Sequence, residues 1–132
     1  PQGPADLEVT IDEVYVLRED QEGHLTHTNH CVHDELVTIN EQFDELIESG
    51  PRKVRIDQQL QTLPRPLTVE DAQSLLADHE GFPRSICRHP NDHPQHGFWE
   101  TVLSVVIAPA SQAMYIARGT PCCRPFETYR LD

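Results

Sequence analysis

The chain has 132 residues, of which 37% are hydrophobic and 11 are proline. This length suits one domain, but the apolar content is thin for a self-sufficient core, so we expect either a single domain or a fragment whose core is completed by another chain or segment. The formal net charge of −12, with Lys53 as the one lysine, leaves no basic patch for nucleic acid, and no apolar run approaches the roughly 20 residues that span a bilayer.

The cysteines do not indicate a disulfide framework. There are four, Cys31, Cys87, Cys122 and Cys123, and adjacent cysteines such as the last two do not form an ordinary structural bridge with each other. Reduced thiols of this kind predict a cytoplasmic protein. Because the chain opens on Pro-Gln-Gly-Pro, without a methionine or a signal sequence, we expect an internal fragment or a processed product.

The first elements along the chain are predicted strands. Polar and apolar residues alternate over residues 7–10 and 13–17, which is typical of β-structure. A polar turn follows, and Gly23 at its end suits a positive φ. Residues 24–31 favour an extended backbone, so we expect this stretch to pair with residues 13–17 as a hairpin.

The middle of the chain is predicted to be helical. Residues 34–48 give mixed signals, although Phe43, Leu46 and Ile47 fit one face of a short helix. A longer helix is predicted over residues 49–63, because Ser-Gly-Pro at its start places proline in the first turn, where it is tolerated.

Two arginines lie three apart on this second helix and therefore share a face. Arg52 and Arg55 have three interpretations: a solvated helix surface, a clamp that binds an anion, or a pair of structural ion-pair donors. The sequence leaves these alternatives open.

A third helix begins at a clear capping signal. Thr68 is the predicted N-cap, and Asp71 is placed to reach back to it in a variant of the capping box. Gly81 and Pro83 follow the end of the helix. Its apolar face consists of Val69, Ala72, Leu75 and Leu76.

The last part of the chain is predicted to be mainly β-structure. Residues 85–88 form a short candidate strand, and a loop rich in proline and histidine follows. Residues 101–109 and 113–118 suit two strands of a hairpin. We expect the tail from Gly119 onward to be irregular.

The stretch HLTHTNHCVH, residues 24–33, concentrates polar chemistry. It holds four of the eight histidines, one cysteine and one asparagine. In an extended backbone His27 and Asn29 share one face, and Thr28 and His30 share the other. Asparagine is disfavoured in strands, so Asn29 either caps a turn at the strand end or donates its NH₂ group to a substrate oxygen.

Histidine and cysteine also raise the question of zinc. The runs HxxHxxHCxH, from His24 to His33, and CxHxxxHxxH, from Cys87 to His96, contain ligand types that zinc prefers. Neither run has the CxxC or HExxH spacing that places ligands on one side of a metal. The spacing therefore does not favour a metal site, and no residue is assigned as a metal ligand.

Five segments, in order and spacing, resemble the C-terminal part of the acyl-coenzyme A:isopenicillin-N (6-aminopenicillanic acid) acyltransferase family. The HTNH and SICR runs are the most specific of them. The resemblance covers nearly the whole chain from about Leu7. The segments are HTNHC at 27–31, the arginine-bearing stretch 49–60, FPRSICR at 82–88, TVLSVV at 101–106 and GTP at 119–121.

This resemblance implies an α+β fold, the C-terminal portion of an αββα N-terminal nucleophile sandwich with antiparallel strands and two or three helices. In such an enzyme a precursor cleaves itself, and the cysteine that becomes N-terminal is the nucleophile, with its α-amino group as base. The acyl group comes from an amide or a coenzyme A thioester and passes to an amine or to water. No resident cofactor is implied.

The chain departs from the family pattern in two places. It begins with Pro1, and none of its cysteines is N-terminal, so the resemblance implies that the nucleophile lies on a missing N-terminal segment or subunit and that this chain alone is inactive. The loop at residues 96–100 also lacks the arginine of the penicillin-making member. This departure argues against penicillin-like substrate specificity. The partners that the resemblance implies are a small-molecule acyl donor and an amine.

Carried over by position, Asn29 matches the family's oxyanion-stabilising asparagine, and a neutral amide with two donors suits that task. His27 and His30 flank it as supporting residues, which either orient the amide or pack the end of the strand. Cys31 lacks an N-terminal amine and is interpreted as an apolar strand residue.

Two other classes of function remain open. One is an acidic binding or scaffold domain without catalysis, and the other is a zinc protein. Half a sandwich would leave one sheet face bare, which typically drives dimerisation, so a homodimer is part of the first expectation. An independent binding domain would be a soluble monomer.

Overall fold

The computed structural model of the protein describes residues 3–42, 48–94 and 97–130. These residues form two α-helices and two antiparallel sheets, which confirms the predicted α+β class. The chain divides into two compact units, Pro1–Gln61 and Thr62–Asp132. None of the helices in the described ranges has the length and apolar character needed to cross a membrane.

The first unit begins with a β-hairpin. Strands β1 (Ala5–Val9) and β2 (Val14–Arg18) pair antiparallel, which confirms both predicted strands. The Thr10 N–H closes the turn by donating to the Glu13 carbonyl at 2.9 Å.

The polarity of this hairpin is the reverse of the usual arrangement. Four apolar side chains, on residues paired across the strands, lie on one face and are about half exposed; they are Leu7, Val9, Val14 and Val16. Glu8 points to the opposite face and is only 6% exposed. A carboxylate is therefore buried while an apolar face is exposed. Both features cost free energy in water, since burial removes the hydration of a charge and exposure hydrates apolar surface.

The hairpin predicted between residues 13–17 and 24–31 is wrong. Strand β2 pairs with β1, and residues 24–33 follow an irregular path. Side-chain oxygens accept from backbone N–H groups that would otherwise donate to a neighbouring strand. Asp20 Oδ1 accepts from the His24 N–H at 2.8 Å, and Glu8 accepts from the N–H groups of Val32 and His33. Gly23 has the predicted positive φ, at 74°.

The remainder of the first unit is helical. A 3₁₀ turn occupies Val37–Gln42, and helix α1 spans Ser49–Thr62, as predicted. The short helix predicted around Phe43, Leu46 and Ile47 lies outside the described residues.

The second unit begins with helix α2 (Val69–Leu76), whose predicted capping box is confirmed. Thr68 Oγ1 accepts from the Asp71 N–H at 3.0 Å, and the Asp71 carboxylate accepts from the Thr68 N–H at 2.9 Å. Gly81, with φ of 81°, lies in the turns that follow the helix.

A three-stranded sheet completes this unit. Strands β3 (Leu103–Ala108) and β4 (Ala113–Arg118) form the predicted hairpin, and β5 (Glu127–Arg130) pairs with the other edge of β4. The expectation of an irregular tail is therefore wrong at its end, because the free edge of β4 is available to the returning chain.

The strand predicted at residues 85–88 is also wrong, and the chain bends there. Its hydrogen bonds are local or go to other loops instead of forming a ladder. The Ser85 hydroxyl donates to the Cys87 carbonyl at 2.6 Å, and the Cys87 N–H donates to the Asp78 carbonyl at 2.9 Å.

Strand β3 has one covered and one bare face. Helix α2 packs against this strand, and Ser104 on the covered face is buried. The other face carries Leu103, Val105 and Ile107, which are 53%, 38% and 65% exposed. Both sheets therefore present apolar side chains to solvent.

Candidate functional site

Glu8 anchors the histidine-rich stretch of residues 24–33. Its carboxylate accepts from the Val32 N–H at 2.6 Å and the His33 N–H at 3.0 Å, and one of its oxygens lies 2.9 Å from His27 Nε2. Burial raises the pKa of this carboxyl, but these hydrogen bonds outweigh burial and hold it below the ordinary value of 4.5. Glu8 is therefore an ionised acceptor for the whole turn.

His27 lies between two carboxylates. Its Nε2 faces Glu8 at 2.9 Å, and its Nδ1 lies 3.6 Å from an Asp6 carboxylate oxygen. Because a carboxylate only accepts, Nε2 carries the hydrogen. The ring is thereby held between the carboxylates of Glu8 and Asp6.

Asn40 holds the next part of the turn. Its amide oxygen accepts from the Cys31 N–H and its NH₂ group donates to the Cys31 carbonyl, both at 2.8 Å. Burial, followed by the negative charge of Glu8, raises the pKa of the Cys31 thiol. Cys31 is thus disfavoured as a thiolate nucleophile, in line with its interpretation as an apolar residue.

Asn29 is held by an arginine from α1. Its Oδ1 accepts from Arg52 Nη2 at 2.7 Å, and Arg52 Nε donates to the Glu48 carbonyl at 3.3 Å. A guanidinium has no acceptor, so it must face the amide oxygen, which turns the NH₂ group away and leaves both of its N–H groups to donate elsewhere. Asn29 itself is exposed.

His30 points to a different partner from its neighbours. Its Nδ1 lies 2.9 Å from Ser49 Oγ and 3.0 Å from Thr28 Oγ1, and the Thr28 hydroxyl also donates to the Ser49 carbonyl at 3.3 Å. Ser49 is buried at the start of α1. Thr28 and His30 therefore meet at one place, as their alternation predicts, although the backbone is not a strand.

We expect the His30 imidazole to titrate below its ordinary pKa of 6.5. Burial lowers this pKa first, and the positive charges of His27, Lys53 and Arg52 lower it further, against the opposing charge of Glu8. Since the unfolded state then binds the proton more readily, this group reduces stability as the pH falls below 6.5.

The measurement is an NMR titration of the His30 ring in the folded protein and in urea. The expected result is a lower midpoint in the folded protein than in urea. A midpoint raised by folding would contradict the assigned environment, because it would require a stabilised imidazolium.

A cavity of about 310 Å³ lies beside this region in the first unit. Lys53 and Asp57 form an ion pair of 2.6 Å in its wall, and Thr26 donates to Asp57. Its other lining residues are Leu17, Arg18, Asp20, His24, Leu25, Val32, Leu60 and Gln61. The lining does not include Asn29, so the cavity and the amide are neighbouring features and not one pocket.

The predicted site residues are thus divided among several contacts. Arg52 is a partner of Asn29, whereas a role for Arg55 in anion binding stays a prediction. Sequence reasoning missed Glu8, Asn40 and Ser49, which fix the turn. No local signal distinguishes Glu8, since an acid between two apolar strand residues is the ordinary pattern of a solvent face.

The sequence of the chain matches the model of one protein family. The model described as acyl-coenzyme A:6-aminopenicillanic acid acyl-transferase matches residues 2–122, which is most of the chain. No curated protein matches the chain at a significant level.

Proposed function

Because the chain belongs to the acyl-coenzyme A:6-aminopenicillanic acid acyl-transferase family, we propose that it is the C-terminal portion of a cysteine N-terminal nucleophile acyltransferase or amidohydrolase. Its contribution is the group that stabilises the oxyanion. The observation that carries this proposal is Asn29, whose amide oxygen is occupied by Arg52 and whose NH₂ group is left to donate.

The reaction begins when the α-amino group of the N-terminal cysteine, acting as base, takes the thiol proton and the sulfur forms a C–S bond to the carbonyl carbon of an amide or a coenzyme A thioester. The π-electron pair moves to the carbonyl oxygen, and the Asn29 N–H groups donate to that negative oxygen. When the carbonyl re-forms, the C–N or C–S bond to the leaving group breaks, and the base returns its proton to the leaving amine or thiol. An amine or water then attacks the acyl-enzyme in the same way and releases the cysteine.

Arg52 is a positioning residue in this scheme. Its guanidinium bonds the amide oxygen at 2.7 Å and fixes which edge of Asn29 faces the substrate. The positively charged guanidinium of Arg52, bonded to the amide oxygen, also draws electron density from the amide nitrogen. The two N–H groups of Asn29 are therefore stronger donors. Glu8 supports the same stretch through His27 and through the N–H groups of Val32 and His33.

The nucleophile in this proposal is carried by another segment or subunit. A nucleophile of this class needs a free α-amino group as its base, and the segments of this chain resemble the C-terminal part of the family, which does not carry that cysteine. The raised pKa of Cys31 supports this assignment for the thiol nearest to Asn29 in sequence.

The bare apolar faces support the existence of such a partner. Leu103, Val105 and Ile107 on β3, and the outer face of the β1–β2 hairpin, are apolar and exposed. We assign these faces to strands of the nucleophile-bearing segment, which would complete the αββα sandwich. A second copy of this chain is the alternative occupant, and it would give a homodimer.

The acyl donor and the amine are small molecules in this proposal, and coenzyme A enters only as the thiol portion of a donor and not as a resident cofactor. The test supplies the intact protein, including the cysteine-bearing segment, with either an acyl-coenzyme A or an amide together with an acceptor amine. Acyl transfer or hydrolysis from at least one donor is expected. A folded protein without turnover of either donor would favour the rival interpretation, a binding or scaffold domain.

A further inference from the structure

Four ligand-type side chains in the second unit converge on one point. They are His79, Cys87, His89 and Cys122, and one side-chain nitrogen or sulfur from each lies within 4.8 Å of the others. They come from the turn after α2, from the bend at residues 85–88 and its continuation, and from the turn after β4. Only Cys87 and His89 are close in sequence, so no short sequence motif indicates this cluster of four.

The distances are close to the edges of a tetrahedron around zinc: the S–S distance and one S–N distance match, and the other S–N distance and the N–N distance are about 0.4 Å shorter. With Zn–S of about 2.3 Å and Zn–N of about 2.05 Å, the edges are about 3.8 Å for S–S, about 3.6 Å for S–N and about 3.3 Å for N–N. Cys87 Sγ lies 3.7 Å from Cys122 Sγ, and His89 Nε2 lies 3.6 Å and 3.2 Å from these two sulfurs. The Nε2 atoms of His79 and His89 are 2.9 Å apart.

Ordinary hydrogen bonding does not explain this arrangement. His89 Nε2 has either one lone pair or one hydrogen in the ring plane, yet three atoms surround it: His79 Nε2 and the sulfurs of Cys87 and Cys122. The S–S separation of 3.7 Å is also far beyond the about 2.05 Å of a disulfide. A cation at the centre would satisfy all four lone pairs at once.

The backbone holds the segments in place without help from the side chains of the cluster. The Cys87 N–H donates to the Asp78 carbonyl at 2.9 Å, which closes the loop between His79 and Cys87. The Arg88 carbonyl accepts from the Thr101 N–H at 3.0 Å, which ties this bend to the residues just before β3.

The turn after β4 is fixed in the same manner. Gly119, with φ of 100°, donates to the Val102 carbonyl at 2.8 Å, and the Thr120 carbonyl accepts from the Cys123 N–H at 3.0 Å. These bonds set the position of Cys122 between them. The group is therefore a built arrangement and not a chance meeting of long side chains.

We propose that His79, Cys87, His89 and Cys122 form a structural zinc site that joins the turn after α2 to the turn after β4. Four protein ligands of the Cys₂His₂ type leave no open position for water or substrate, which is typical of a structural site. Two thiolates and two imidazoles suit Zn²⁺ over the hard cations Mg²⁺ and Ca²⁺. The four residues belong to the second unit and Asn29 to the first, and the site departs from the expectation, based on spacing, that no metal is bound.

The test uses Co²⁺ as a spectroscopic substitute for zinc in the intact protein, reduced and freed of metal by a chelator. One Co²⁺ per chain is expected, with thiolate-to-cobalt charge-transfer bands and the d–d bands of a tetrahedral site. Zn²⁺ should displace the cobalt and abolish both sets of bands, because a site of this type binds zinc more tightly. Zinc should also raise the midpoint temperature of thermal unfolding, since it binds the folded state.

Variants of the two exposed ligands, Cys122→Ser and His79→Asn, test the ligand set without disturbing packing. Each is expected to weaken Co²⁺ binding at least about 100-fold, since the loss of even an outer hydrogen-bond partner of a ligand weakens binding 10- to 100-fold. The matched controls Cys123→Ser and His93→Asn remove the adjacent thiol and a histidine of the same sequence run, and they should bind Co²⁺ like the parent.

Three results would overturn the proposal. The first is no stoichiometric Co²⁺ or Zn²⁺ in the folded, reduced protein. The second is equal loss of binding in Cys123→Ser and Cys122→Ser, which would indicate the vicinal pair instead. The third is a Cys87–Cys122 disulfide, found by alkylation and mass spectrometry, that persists in the protein isolated under reducing conditions.

Discussion

Replacing Asn29 by alanine in the intact protein is expected to lower the acylation rate by about 10²- to 10³-fold, as the loss of one oxyanion donor typically does. The amide is exposed and bonded to Arg52 through its oxygen, so its removal withdraws the two N–H donors without opening a cavity in a core. The rate is measured as the burst of leaving-group release in a single turnover, and the fold is checked by circular dichroism.

Two further variants test whether this effect is specific to the N–H donors of Asn29. Asn29→Asp keeps the size and the contact with Arg52 but has no N–H donors, so it should lose at least as much rate as the alanine variant. Gln58→Ala, an exposed change on the same helix as Arg52, should leave the rate unchanged. A folded Asn29→Ala protein with the parent rate would remove Asn29 from the chemistry.

Replacing Glu8 by alanine is expected to lower the free energy of unfolding by about 3 kcal/mol, because two partly buried N–H groups lose their acceptor at about 1–3 kcal/mol each. These are the N–H groups of Val32 and His33, and the contact with His27 is lost with them. Urea unfolding measures the change. Glu22→Ala, an exposed acid in the turn after β2, should stay within about 0.5 kcal/mol of the parent.

The pH dependence provides a second signature of Glu8. Its folded-state pKa is below the ordinary value of 4.5, so its ionised form stabilises the fold fully above pH 4.5. That stabilisation is lost as the pH falls through the folded-state pKa. Glu8→Gln does not titrate, so it should flatten the loss of stability below pH 4.5, and an unchanged acid slope would contradict this role.

Local signals predicted much of the fold. Thr68 is the N-cap of helix α2 because its hydroxyl accepts from the Asp71 N–H and the Asp71 carboxylate accepts from the Thr68 N–H. Four consecutive residues contain all of that information. The strands β1 and β2 and the hairpin β3–β4 likewise depend on alternation, but the pairing of β1 with β2 was not predicted, because the sequence favoured residues 24–31 as the partner of β2. The strand β5 was missed because its partner edge on β4 is a feature of the fold and not of its own residues.

The candidate site was predicted only in part. The HTNH run indicated Asn29, His27 and His30, but the predicted strand is an irregular segment. Acceptors far along the chain bind the N–H groups of residues 31–33, directly after the run. Glu8 is 24 residues from Val32, and Asn40 is nine residues from Cys31. A side-chain anchor at such a distance leaves no periodicity that a sequence window contains.

The metal-ligand cluster shows the same limit more strongly. The CxHxxxHxxH run contributes Cys87 and His89, but the other two ligands, His79 and Cys122, come from separate turns. Spacing rules for zinc detect ligands that share a turn or a helix. A site assembled by loop closure from three segments lies outside those rules.

The measurement that tests the central claim most directly is the location of the acyl group after a single turnover of the intact protein, read by peptide mass spectrometry of the quenched reaction. The account predicts a thioester on an N-terminal cysteine of another segment or subunit, with its amount accumulating more slowly in Asn29→Ala. An acyl group on Cys31, or on any other cysteine of this chain, would contradict the division between a nucleophile supplied elsewhere and an oxyanion donor supplied here.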